Sequence, residues 1–196
     1  GFIDTHIHFP QIQIIGSYAT NLLEWLNNYT FIEEQKYSSL DHSTIMAKKF
    51  FNEILNHGTT TAAVFCSVHP ESVEAFFNES HKINTLMIAG KVMMDRNAPE
   101  KLLDSAHSGY EESKKLIEKW HGVGRQHYAI SPRFAITSSP RQLEMTQALM
   151  NDHPECYFQT HLSENINEIE LVKKLFPDKK DYSQVYEDYN FLGPKS

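Results

Sequence analysis

Short runs of apolar, β-branched and aromatic residues alternate along the chain with longer stretches whose apolar positions recur at helical spacing. Five runs predict strands, over residues 2–8, 59–69, 86–94, about 127–136 and 157–162. None alternates cleanly between apolar and polar, which predicts a sheet covered on both faces, as parallel βαβ packing produces. Between the first two runs, Ile45, Phe50, Phe51, Ile54 and Leu55 mark one face of a helix, and His57-Gly58 supplies its stop. Pro70 suits the first turn of a helix bearing Val73, Phe76 and Phe77; Leu116, Ile117 and Trp120 mark another. Ser139-Pro140-Arg141-Gln142 has the spacing of a capping box ahead of Leu143, Ala148 and Leu149, and residues 166–176 and 182–189 predict two further helices.

Five βα units suit either an open doubly wound sheet or the leading part of an eight-fold barrel. A complete barrel takes about 250 residues, so 196 would hold an incomplete one. No linker or repeat divides the chain, so residues 1–196 are expected to form a single partial barrel domain. The exception to regular spacing is the segment 10–41, with a short apolar run at Leu22, Leu23, Trp25 and Leu26. It is too long for an ordinary βα loop and predicts a lid or an interface element.

Charge and composition narrow the function. The balance of 18 basic against 25 acidic side chains, a net charge of −7, leaves no footprint for nucleic acid or an anionic membrane. No apolar stretch approaches the roughly 18 residues that cross a bilayer, and the opening lacks a basic region followed by an apolar core, so a cytoplasmic protein is expected. Two cysteines, Cys66 and Cys156, are too few for a disulfide framework or a thiolate metal site, and are expected to lie at opposite ends of the sheet without pairing. The count of 11 histidines is high for packing alone. The chain opens on Gly1 directly into an apolar run, which reads as a segment of a longer polypeptide.

His6-Ile7-His8 closes the first strand, where a period of two sends both imidazoles to one face, with Cα atoms roughly 6.6 Å apart. Both rings can then converge on one ion at about 2.0–2.1 Å. Such a pair also arises by chance, but the C-terminal end of a barrel strand is where catalytic groups collect. His161 ends the fifth run in the same sense; alone it reads equally as a packed core histidine. Three residues on, Glu164 stands where a carboxyl can pass a proton between an attacking water and substrate, or serve only as an acid at a helix N-terminus.

The opening Gly-Phe-Ile-Asp-Thr-His-Ile-His-Phe-Pro-Gln resembles the first barrel strand of the amidohydrolase superfamily, and Gln-Thr-His-Leu-Ser-Glu at 159–164 resembles its fifth. Within that superfamily, Trp25-Leu26 with Tyr29-Thr30-Phe31, the run Phe65-Cys66-Ser67-Val68-His69-Pro70, the run from Gly90 to Pro99, and Ser131-Pro132-Arg133-Phe134-Ala135 resemble the guanine deaminase family along the whole chain. The resemblance implies a TIM-type (β/α)8 barrel and zinc-dependent hydrolysis of guanine to xanthine and ammonia, with one Zn2+ per active site. His6, His8 and His161 match metal ligands, and Glu164 matches the proton-shuttling glutamate. Gln11 and Arg133-Phe134 match positions that hold the purine, with His161 beside it. Arg offers a rigid fork of donors to a carbonyl oxygen, Gln can donate and accept along a ring edge, and Phe supplies an apolar wall. Guanine and water are the implied small-molecule partners, and a homodimer the implied assembly.

The family also carries a histidine after strand six and an aspartate at the end of strand eight, and neither match falls within residues 1–196. The resemblance therefore implies barrel strands one to five with half of an active site, inactive in isolation. Three other readings stand beside it: an aminohydrolase acting on another purine, a pterin or a triazine; a non-catalytic truncated binding module; and a doubly wound fold with fortuitous histidines. The last needs a Gly-rich phosphate loop after the first strand, which Pro10-Gln11-Ile12 is not. His69, His127 and Asp95 also fall near strand ends; His127 is expected to be structural and Asp95 to pair with Arg96 or Lys91.

Overall fold

The computed structural model describes all of residues 1–196. Its elements run β1 (Phe2–His8), α1 (Leu22–Trp25), α2 (Phe31–Glu34), α3 (Leu40–Asn56), β2 (Thr59–Phe65), α4 (Pro70–Ile83), β3 (Leu86–Gly90), β4 (Val92–Met93), α5 (Ala106–Trp120), β5 (Gln126–Pro132), α6 (Pro140–Asp152), β6 (Tyr157–Phe158), α7 (Ile166–Leu175) and α8 (Tyr182–Glu187). Every strand pairing is parallel: β1 with β2, β2 with β3, both β3 and β4 with β5, and β5 with β6.

Four of the expected strands differ in detail: the second stops at Phe65 and the fourth at Pro132, short of the expected residues 69 and 136. The third is broken at Lys91, whose N–H donates to the Tyr128 hydroxyl at 3.1 Å and whose buried ammonium reaches Asp104 at 2.6 Å. The fifth pairs regularly only over Tyr157–Phe158. Beyond it the chain stays alongside β5, Gln159 N–H donating to Ile130 at 3.0 Å and His161 N–H to Arg133 at 3.0 Å, so His161 follows the strand rather than ending it.

With β3 and β4 as two pieces of one line, the lateral order is the sequence order and never reverses. A doubly wound sheet would reverse at its switch point; successive neighbours are what a βα barrel builds. The curl follows from the histidines. Five strands laid flat would place the first about 19 Å from the last, yet the His6 and His161 rings are 4.8 Å apart centre to centre. Tight curvature also explains Gly90, where a Cβ would stand 1.8 Å from the Ala129 carbonyl oxygen.

The helices pack outside. Phe50, Phe51, Phe76, Phe77 and Trp120 are buried together where α3, α4 and α5 meet. Helix α3 starts at Ser39, which accepts the His42 N–H, and stops before Gly58 at φ +84°. Ser139 caps α6 by accepting the Gln142 N–H at 3.1 Å, but the Gln142 amide goes to Asp104 at 2.9 Å, so only half of the expected capping box forms. Asp95 pairs with neither Arg96 nor Lys91: it accepts the Ser139 N–H at 2.7 Å and the Ser139 hydroxyl, anchoring that cap. Both cysteines are buried and free, Cys66 just after β2 and Cys156 just before β6, at opposite ends of the sheet. The segment 10–41 folds as short helical turns over the C-terminal strand ends, joined to them through Glu34 and Arg133. On β1, Phe2 and Ile3 are exposed.

Candidate active site

The site is built where β1, β5 and the chain after β6 deliver side chains to one rim. His6 and His8 stand at the end of β1 with rings 5.2 Å apart, and His161 lies 4.8 Å from His6 and 5.0 Å from His8. One ligand nitrogen from each lies within 4.8 Å of the others. Two ligands on one ion at about 2.1 Å sit no more than about 4.2 Å apart, a gap that small ring rotations close. Phe65 backs the cluster, stacked on His8 at 4.8 Å.

Hydrogen bonding sets which nitrogens face the centre. His161 Nδ1 is 2.7 Å from the Arg133 carbonyl oxygen, an acceptor, so it carries the proton and the Nε2 lone pair faces the cluster. That Nε2 lies 2.9 Å from His8 Nε2. His8 Nδ1 is buried without a partner. Burial, then the Arg133 charge, pushes His161 down to about 3; burial and then the His161 neighbour hold His8 well below the usual imidazole range, and burial lowers His6 less. Three neutral imidazoles with convergent lone pairs are a donor set that suits a borderline-soft divalent cation, so these residues could hold a metal.

Beside them lies a cavity of about 120 Å³, bordered by Gln11, Trp25, Arg133, Phe134 and Glu164 as well as the three histidines. Arg133 and Phe134 are buried; Glu164 stands at the mouth, its carboxyl raised by partial burial and by Glu168. The structure thus brings together all seven residues the sequence nominated: His6, His8, Gln11, Arg133, Phe134, His161 and Glu164. Of the three side candidates, none borders this cavity: His69 precedes α4, His127 lies low on β5 and Asp95 is spent on Ser139.

Two neighbours, Glu34 and Glu168, had no sequence signal, and a third, Phe31, entered only within the family-like run Tyr29-Thr30-Phe31. Glu34, wholly buried, accepts from Arg133 Nη1 at 2.7 Å, and its other oxygen is 3.5 Å from the Gln11 amide nitrogen. Phe31, one turn earlier, lies under the Arg133 guanidinium at 5.5 Å. Glu168, also buried, accepts the Glu164 and Asn165 N–H groups at 2.8 and 3.1 Å. Neither Glu34, within Phe-Ile-Glu-Glu-Gln-Lys, nor Glu168 carries a local pattern that distinguishes a buried acid from a solvated one.

A parallel βα sheet curled in sequence order, with histidines from its first and fifth strands meeting at the C-terminal rim, is the architecture of a βα barrel with a candidate metal centre at its catalytic face. The amidohydrolase family matches residues 1–195, and the chain belongs to it. Its relatives narrow the class. It is 53% identical over 193 residues to a guanine deaminase of Escherichia coli K12, covering 98% of this chain and 44% of that protein. A crystal structure of guanine deaminase from Bradyrhizobium japonicum superposes with a TM-score of 0.98 at 42% identity, covering 100% of this chain and 42% of that one. A guanine deaminase from C. acetobutylicum with guanine bound in its active site superposes with a TM-score of 0.91 at 30% identity, covering 98% of this chain and 46% of that one. The chain spans under half the length of these relatives. A triazine hydrolase at 14% identity and a TM-score of 0.85 shares the fold.

Proposed function

We propose that the protein containing this segment is a zinc-dependent guanine deaminase, converting guanine and water to xanthine and ammonia. The observation that carries this reading is the meeting of His6, His8 and His161 beside a buried Arg133 in one cavity. His6, His8 and His161 would hold the zinc, which when bound lowers the pKa of water enough to supply a nucleophile at neutral pH. Arg133 directs guanidinium donors at the purine carbonyl oxygen, Gln11 meets a ring edge with donor and acceptor, and Phe134 walls the ring, with His161 at its border. Glu164 takes the proton of the attacking water and returns it to the departing amine. Its raised carboxyl, closer to neutrality than an open one, suits both steps.

Residues 1–196 would then be the first five βα units of the catalytic barrel, and the segment alone would be inactive, lacking the family's later histidine and aspartate. No helix is long and apolar enough to cross a membrane; a cytoplasmic location is part of the proposal, and a homodimer is added by resemblance. The test is the full-length protein with zinc: loss of guanine absorbance with equimolar ammonia, abolished by chelation, is expected. No turnover of guanine alongside turnover of a pterin or triazine would replace the substrate, and absence of stoichiometric metal would make the protein a binding module. Ammonia release by residues 1–196 alone would overturn the claim of inactivity.

A further inference from the structure

We propose that α2 sets the preference of the site for a purine bearing an oxygen at C6, through Arg133. Glu34 and Phe31 are positioning residues in this scheme, and the inference rests on the reading of Arg133 as the donor to substrate. They are three residues apart, so one helical face presents both. From it the Glu34 carboxylate grips Arg133 Nη1 at 2.7 Å and the Phe31 ring lies 5.5 Å from the guanidinium carbon. Glu34 does not border the cavity, whereas Arg133 and Gln11, the two polar groups it touches, both do.

The chemistry follows from how the donors are spent. Arg has five N–H donors and no acceptor. Glu34 takes the only side-chain hydrogen bond that Arg133 makes within the chain, so the remaining donors are held in a fixed plane at the cavity. Lys91, the other cation buried among carboxylates, differs: its ammonium reaches Asp104 at 2.6 Å, Glu112 at 3.3 Å and the Val92 carbonyl at 3.4 Å, and is complete without a ligand. A buried guanidinium without a counter-charge would draw an anion into the site. Paired with Glu34 it is neutral as a unit, and its spare donors recognise a neutral acceptor such as a lactam oxygen. Because Glu34 also touches Gln11, one carboxylate aligns donors at two points of the ring.

The test uses the full-length, zinc-loaded protein, with guanine as substrate and 2-aminopurine, which lacks the C6 oxygen, as competing ligand. Glu34→Gln is expected to raise the KM for guanine about tenfold to a hundredfold, as loss of a buried charge partner does, with kcat within about threefold and the Ki of 2-aminopurine little moved. In an Arg133→Met background the same change should add nothing to the guanine KM. Phe31→Leu, which keeps bulk and unpairs no charge, should shift KM the same way by about threefold, and serves if Glu34→Gln fails to fold. An unchanged KM for guanine in these variants, an equal loss for both ligands, or an undiminished effect without Arg133 would overturn the proposal. Wild-type protein inert toward guanine would instead sink the underlying reading, and this inference with it.

Discussion

Two clusters of ligand-type side chains sit at opposite ends of one sheet, and only one is arranged to take an ion. At the C-terminal rim His6 and His8 have rings 5.2 Å apart; at the N-terminal rim His121 and His127 are nearly as close, at 5.5 Å, with Cys156 Sγ 3.5 Å from His121 Nδ1. Residue type and ring spacing do not separate them, although only the C-terminal trio brings three ligand atoms within 4.8 Å of one another. Hydrogen bonding separates them further. His121 Nδ1 accepts the Tyr128 N–H at 3.1 Å, spending its lone pair on the backbone, and burial pushes the Cys156 thiol up to about 12, far from a thiolate ligand. His161 bonds outward through Nδ1–H and turns Nε2 toward His8 Nε2, a ring-to-ring contact at 2.9 Å that a cation can replace. The rim whose ring nitrogens meet one another, and not the backbone, is the one that can take an ion.

The largest expected difference between the two ends is in stability. Arg133→Met leaves the Glu34 carboxylate buried and unpaired and should cost about 3–5 kcal/mol in denaturant unfolding. At the other end Arg125, exposed and donating only to the Asn84 carbonyl at 3.2 Å, should lose under about 0.5 kcal/mol on change to Met. Equal costs would show that the C-terminal rim carries no special charge arrangement. Next comes metal affinity. His161→Ala should weaken zinc binding at least about a hundredfold, the upper end of what loss of a mere outer partner costs, whereas His121→Ala should leave it unchanged in a chelator competition. A loss in both variants would break the distinction.

Much of this was readable in the sequence because barrels place chemistry at strand ends. The strand pattern located β1 residue for residue, and with it His6 and His8; Pro70 and Ser139 marked two helix starts because caps are local chemistry. The break at Lys91 was not readable, since it depends on the Tyr128 hydroxyl in the neighbouring strand. Nor was Glu34: its partner lies 99 residues away, and an acid between Glu33 and Gln35 carries no local mark of burial. Asp95 misled for the same reason, its nearest cations in sequence losing to a serine N–H brought in by α6. Patterns with a local cause are legible, and pairings made by tertiary closure are not.

A smaller effect sharpens the contrast in proton affinity. Glu164 at the site is raised by partial burial and by Glu168, whereas Glu155 at the far end is lowered by hydrogen bonding to its own backbone N–H and by His153. Glu168→Gln keeps an oxygen to accept the Glu164 and Asn165 N–H groups but removes the charge. The Glu164 carboxyl should then ionise at lower pH, moving the acid limb of the kcat/KM profile of the full-length protein down by less than about one unit. Glu155→Gln should leave that limb in place. An upward shift, or no shift with Glu168→Gln, would show that the Glu168 charge does not act on the shuttle.

The slightest effect tests whether the far end is as inert as its lone pairs suggest. Cys156 is held in its thiol form in the folded chain, its pKa raised from 9.0 to about 12 chiefly by burial. The thiolate therefore forms near pH 9 only after unfolding, so the contribution of this group to stability is whole below pH 9 and is lost as pH rises toward 12. Cys156→Ser should reduce the fall of unfolding free energy across that window, leaving the slopes from Cys66 and from the tyrosines whose hydroxyls burial also raises, Tyr37, Tyr128, Tyr182 and Tyr186. At pH 8 a thiol reagent should label neither cysteine faster than the chain opens. Rapid labelling of Cys156 in the folded state would mean that His121 draws off its proton. The N-terminal rim would then hold a reactive pair of its own, and reactivity would no longer distinguish the two ends.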